Sequence, residues 1–219
     1  MNILLAIVLI LLIISLLCFI LFWVKTIKFL GVKKSSFNFS IKIYTLIFIL
    51  SIILIPIINS SFFSLIFKQN ISYFRQFWIW FFMLGLVFLI LGVRILFLVK
   101  KMLEQKKSEG SQEKLKTKGV YVIVRHPTLF SCFVIYLGLS FIFDSLYGVI
   151  LFPFFLILLE LHCFLKEKYI LIKKYGKVYK SYIEKTPYRL ISPPYNYLLF
   201  IIAFFVFYIG VINGAYIFK

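Results

Sequence analysis

The apolar positions of this chain fall in long unbroken runs. Six stand out, at 3–24, 43–66, 77–99, 128–143, 146–165 and 197–217. A run of roughly 20 apolar residues is the length that crosses a bilayer as a helix. None shows the in–out alternation of a barrel strand, and a lone spanning segment must satisfy its own backbone hydrogen bonds, which a helix does. The pattern predicts an all-α fold, a polytopic transmembrane helical bundle of about six spans. The second run is interrupted by Pro56 and by Asn59, Ser60 and Ser61, which predicts a kink or an early end. The fourth is short, and only Asp144 and Ser145 separate it from the fifth, so these two predict a tight helical hairpin. The first run has no basic residue before it and exceeds a signal-peptide core, so it predicts a retained helix.

Polar stretches divide the chain. Residues 104–118, "EQKKSEGSQEKLKTK", mix both charges with Gly and Ser and read as a solvated linker. This predicts an N-terminal three-span region over 1–103, a cytoplasmic linker over 104–118, a motif-bearing region with the hairpin over 119–193, and a C-terminal transmembrane helix over 194–219.

Composition agrees. At 63% hydrophobic and 15% charged, the chain is outside the range of soluble globular domains. The net charge of +18 raises nucleic acid as a partner, but its placement argues against that. Three segments, 25–42, 100–127 and 166–189, hold 21 of the 25 Lys and Arg. With six spans they share one side, which the positive-inside rule makes cytoplasmic, where they meet anionic lipid headgroups. An integral membrane protein with both termini outside is expected, in the plasma membrane if the source is bacterial. Arg94 lies in the third run near enough to its end to snorkel.

Cys18, Cys132 and Cys163 all sit in apolar runs with no C-x-x-C pair, so they predict packing residues, neither a disulfide framework nor a metal site. Glu160 and His162 are ionisable groups inside the fifth run, where such groups are costly. Two roles stay open for Glu160, a buried polar contact to Arg94 or a neighbouring span, and a place in a ligand cavity.

The densest chemistry is at Arg125-His126-Pro127, where the chain turns apolar again. Proline suits a first helical turn because its missing N–H is not needed there. Arg125 and His126 therefore stand at the cytoplasmic start of the fourth span. The hairpin goes out and returns near residue 165, bringing Glu167 to the same membrane face. A guanidinium, an imidazole and a carboxylate are predicted to converge there, although some 40 positions separate them in sequence.

Here the sequence resembles a family. Leu115, Thr117, Gly119, Tyr121, Arg125, His126 and Pro127 fit the L-x-T-x-G-x-Y-x-x-x-R-H-P pattern of the isoprenylcysteine carboxyl methyltransferase and phospholipid methyltransferase superfamily. Leu137-Gly138 matches its hairpin Leu-Gly, and Glu167, Tyr175-Gly176, Tyr179, Tyr182 and Pro187 come after it in the family's order. The resemblance spans about residues 114–193. It implies a membrane-embedded methyltransferase using S-adenosylmethionine on a lipid or lipidated acceptor that enters from the bilayer, with no Rossmann domain. By residue, it implies cofactor contacts at Gly119, Tyr121, Arg125, His126, Pro127, Leu137, Gly138, Glu167 and Tyr179, and catalytic roles for Arg125, Glu167 and Arg189. Metal and nucleic acid are not expected.

Three positions depart from the pattern. Lys168 replaces the second Glu of a pair, Leu129 a Tyr and Ser131 a Gly. A lysine where a carboxylate would hold the cofactor's amino group leaves a second reading open, a non-catalytic relative acting as membrane scaffold or lipid-binding protein. A reductase and an ion transporter are further alternatives. The former is disfavoured by length and the absence of a nicotinamide site, the latter by few intramembrane charges and no repeat.

Overall fold

The computed structural model describes residues 3–28, 35–58, 78–108, 115, 117–191, 201, 204 and 208. The described residues are helical, with no strand among them. Three long helices come first: α1 (Ile3–Lys28), α2 (Ser35–Ile58) and α3 (Trp78–Ser108). Shorter pieces come after them: α4 (Val120–Ile123), α5 (Pro127–Ile142), α6 (Leu146–Ile150), α7 (Phe152–Lys166), α8 (Ile172–Tyr175) and α9 (Lys177–Lys185). A π-helical turn, Glu167–Leu171, joins α7 to α8.

Two helices, over Ala6–Lys28 and Trp78–Met102, are long and apolar enough to cross a membrane, and Leu46–Ile58 and Pro127–Ile142 are shorter apolar helices. The fifth run differs from expectation. It breaks at Leu151, between α6 and α7, because Pro153 occupies the first turn of a new helix and lacks the N–H to continue the old one. Helix α3 continues to Ser108, into the polar stretch. The last run, 197–217, lies outside the described residues save for positions 201, 204 and 208.

The hairpin forms as its turn residues direct. Asp144 takes a left-handed φ of 49°, a conformation Asp tolerates better than most. Ser145 then caps α6, its hydroxyl accepting from the Gly148 N–H at 3.1 Å. The two arms pack through rings, Phe133 on Phe152 at 4.4 Å and Tyr136 on Phe155 at 5.0 Å between centroids. Tyr136 donates to the Gly148 carbonyl at 2.6 Å, so a buried hydroxyl is satisfied within the hairpin.

Around the hairpin the long helices close the core. Helix α3 lies along α5, and α1 along α2. The α3–α5 contact runs through glycine: a Cβ on Gly138 would stand 2.8 Å from Leu89 N and 2.9 Å from Gly85 O. Those are backbone atoms, so the helices can only be this close without side chains there, the device membrane helices use to gain packing contact. On α1, Phe22 and Trp23 surround His162 of α7, with ring centroids at 5.6 and 5.2 Å.

Candidate active site

At the start of α5 the chain is stitched to the segment after α9. Gly119 opens α4 with a φ of 62°, a sign reserved mostly for glycine, and turns the chain off the linker. The extended residues behind α4 then pair with 186–189. The Arg125 N–H donates to the Tyr188 carbonyl at 3.0 Å and the His126 N–H to the Arg189 carbonyl at 2.9 Å. Tyr182 donates to the Tyr121 carbonyl at 2.6 Å and Thr186 to the Val122 carbonyl at 3.3 Å. Residues some 60 positions apart thus fix the Arg-His-Pro turn from outside.

Glu167 is the hub. Arg125 grips it with two hydrogen bonds, Nε to Oε1 at 2.7 Å and Nη2 to Oε2 at 3.3 Å. His126 Nε2 meets Oε1 at 3.1 Å, and Arg189 Nε donates to Oε2 at 3.0 Å. Arg125 Nη1 also donates to the Thr186 carbonyl at 2.6 Å. Arg125, His126 and Glu167 are only 6%, 7% and 4% exposed. A carboxylate this buried survives in charged form only if paired and hydrogen-bonded. Burial alone would push its pKa up, but the donors from His126, Arg125 and Arg189 outweigh that and hold it at about 2. For His126, burial pushes the pKa below 6.5, only partly offset by Glu167. The imidazole is therefore neutral at pH 7, and the contact to Glu167 puts its proton on Nε2.

A half-open cavity of about 220 Å³ lies beside this hub. Tyr121, Arg125, His126, Lys166, Tyr179 and Tyr182 are among the residues lining it. Burial raises the pKa of the Tyr182 hydroxyl, to about 12. The Tyr179 hydroxyl is buried with no hydrogen-bond partner. It feels the Glu167 charge, but the geometry falls short of a hydrogen bond. Pro127, Thr128 and Leu129 bring the start of α5 to the same cavity, and no side chain caps that helix.

The expected convergence of Arg125, His126 and Glu167 is present, and Arg189 joins it. Tyr121, Pro127 and Tyr179 reach the cavity. Gly119, Leu137 and Gly138 do not line it: Gly119 abuts Met102, Leu137 is in the core, and Gly138 is in the α3–α5 contact. Glu160 pairs with Arg189, Nη1 to Oε2 at 3.9 Å, and not with Arg94. Arg189 also lies over the Phe164 ring at 5.4 Å. Lys168 is exposed, turned over Phe164 and Tyr169 at 5.7 and 5.4 Å, so its charge stays out of the cavity. Lys166 and Thr128 carry no mark in the sequence as cavity residues. Nothing singles out Lys166 among the eight Lys and Arg of residues 166–189.

A family model described as phospholipid methyltransferase matches residues 80 to 178. Over that stretch, a little under half of the chain, the match agrees with the superfamily resemblance carried by the Arg-His-Pro motif. The match takes in α3, which the motif does not reach, together with the hairpin, Glu167 and the first residues of α9. No curated protein and no solved structure matches the chain.

Proposed function

We propose that the chain is an integral-membrane methyltransferase that uses S-adenosylmethionine to methylate a lipid or lipidated acceptor at a cytoplasm-facing site. The family match supports methyl transfer in general. The observation that carries the finer reading is the buried hub of Arg125, His126 and Glu167, closed from outside by Arg189, at the edge of an aromatic-lined cavity.

The residues suit the cofactor. The uncapped start of α5 and the cations beside it favour a carboxylate. Tyrosine faces favour a sulfonium. The Tyr179 hydroxyl offers a donor that no protein acceptor uses. When bound, S-adenosylmethionine supplies a methyl group made electrophilic by its sulfonium. The cavity, about 220 Å³, is below the roughly 300–1,000 Å³ common for small-molecule sites, so it suits one end of the cofactor.

Glu167 takes a different role from the one its motif implies. Both of its oxygens already accept from Arg125, His126 and Arg189. It sets the positions of two guanidiniums and one imidazole, and leaves no free oxygen for an amino group. The chain's contribution is then alignment of two reactants in a site sheltered from water. Arg125 and His126 orient the donor side, and Arg189, a third exposed, faces outward toward an acceptor.

Membrane embedding is supported by surface chemistry. Helices α1 and α3 carry large apolar side chains outward, among them Ile10, Ile90, Phe97 and Trp80, more than a water-exposed surface tolerates. We read six spans with the hub at the cytoplasmic end. The scaffold reading rested on Lys168, whose side chain lies outside the cavity.

The test is S-adenosylmethionine binding by calorimetry to the protein in nanodiscs, with His126→Ala alongside. Saturable binding, weakened by the variant at unchanged folding, is expected. A folded wild-type protein that binds no cofactor would overturn the reading in favour of a non-catalytic relative.

A further inference from the structure

Lys166 is a cavity cation without a counterion among the described residues. It ends α7, one residue before the hub, and its side chain lines the cavity with Arg125 and His126. Glu167, adjacent in sequence, is consumed by Arg125, His126 and Arg189. Among the described residues no Asp or Glu lines the cavity, so its charged lining is entirely cationic. An ammonium partly withdrawn from water and left unpaired is unfavourable, and the arrangement makes sense if a ligand completes it. The Tyr179 hydroxyl, on a residue 1% exposed and lining the same cavity without a partner, is a second donor waiting for an acceptor. The start of α5, a helix of 16 residues with no side-chain cap, is a third.

We infer that Lys166, with the Tyr179 hydroxyl, holds an oxyanion, a carboxylate or phosphate, carried into the cavity by one of the two reactants. This deepens the proposed function without depending on it entirely, because an anion site of this kind stands even if no methyl is transferred. The role belongs to Lys166 and not to Lys168, two residues on. Residues two apart on a helix point to different sides, so Lys168 lies over the Phe164 and Tyr169 rings while Lys166 lines the cavity.

Four probes separate the sources, each titrated by calorimetry into protein in phosphatidylcholine nanodiscs, with empty discs subtracted. S-adenosylhomocysteine carries the cofactor's carboxylate, and 5′-methylthioadenosine lacks it. Dodecyl phosphate carries an acceptor-like anion, and dodecyltrimethylammonium is its cationic control. Wild type is compared with Lys166→Gln, Lys166→Arg and the exposed-charge control Lys168→Gln, all checked for equal thermal unfolding. A charge-assisted contact predicts weakening of at least about tenfold in Lys166→Gln, partial recovery in Lys166→Arg and none of the loss in Lys168→Gln. Loss for S-adenosylhomocysteine but not methylthioadenosine assigns the anion to the cofactor. Loss for dodecyl phosphate alone assigns it to the acceptor. If wild type binds dodecyl phosphate through Lys166 but no S-adenosylhomocysteine, the anion site stands and the methyltransferase reading falls. Equal affinities in wild type and Lys166→Gln, or no binding of either anion to wild type, overturn the inference.

Discussion

Single groups at the hub do opposed things to stability and to binding, and that separates them experimentally. Tyr179 buries a hydroxyl with no partner, which costs about 1–3 kcal/mol relative to a satisfied one. Tyr179→Phe should therefore hold or slightly raise the unfolding temperature while weakening S-adenosylhomocysteine several-fold. A drop in both would mean that the hydroxyl is structural. Acid should act through two groups. The folded-state pKa of His126 lies below its ordinary 6.5 and that of Glu167 at about 2, below 4.5. Both depressed values mean that the unfolded chain takes up the proton first, so each contribution is full at higher pH and fades on acidification. The unfolding midpoint should be level above pH 7, decline below about 6.5 as His126 becomes protonated, and fall further from about 4.5 downward as Glu167 does. His126→Asn should reduce the first decline, leaving the share of the other histidine, and leave the second. A midpoint that rises from pH 7 to 5 would contradict this assignment.

Helices here are positioned by features of uneven visibility in the sequence. The start of α5 is announced by Pro127, and the hairpin by Asp144-Ser145, because both act through local backbone geometry. The meeting of Arg125 and Glu167 is also legible, since two hairpin arms of similar length must return to their starting level. The break at Leu151 is less so: Pro153 sits in an apolar run whose composition reads as continuous. Gly138 illustrates the limit. In the sequence it is half of a Leu-Gly motif with an implied cofactor role, whereas in the structure it faces Gly85 and Leu89 across a helix pair. Nothing local distinguishes a glycine that a ligand needs from one that another helix needs. The π turn, Glu167–Leu171, is invisible for the same reason. The glycine contact can be tested directly. A Cβ at 138 meets backbone at 2.8 and 2.9 Å, so Gly138→Ala must part α3 from α5, at a cost of about 1–3 kcal/mol. The expected result is a lower unfolding temperature for Gly138→Ala, with cofactor affinity of the folded fraction unchanged. Selective loss of affinity at full stability would return Gly138 to the cofactor site.

For the whole molecule, orientation decides which compartment supplies the reactants. The hub, α8 and α9 lie at one end of the hairpin, and the Asp144 turn lies at the other. The basic residues around Lys166–Arg189 lie with the hub, and the proposed topology, read from the positive-inside rule, has that end in the cytoplasm. The outgoing arm is short for a full crossing. Helix α5 has 16 residues, hence about 24 Å at 1.5 Å per residue, against roughly 30 Å of hydrocarbon, and the return arm is divided between α6, with 5 residues, and α7, with 15. On the proposed topology the Asp144 tip would lie just beneath the outer headgroups or draw them inward, a thinning with a modest cost per ångström. In a variant with Cys18, Cys132 and Cys163 replaced by Ala, a cysteine at position 177 should react with a membrane-impermeant maleimide only after the cytoplasmic side is opened. A cysteine at 144 should react in intact cells, more slowly than one in a long outer loop. Labelling of 177 from outside would invert the topology and place the cavity away from the cytoplasmic pool of S-adenosylmethionine. Labelling of both positions only after opening would make the hairpin re-entrant, consistent with its short outgoing arm, and would keep the hub cytoplasmic while reducing the span count.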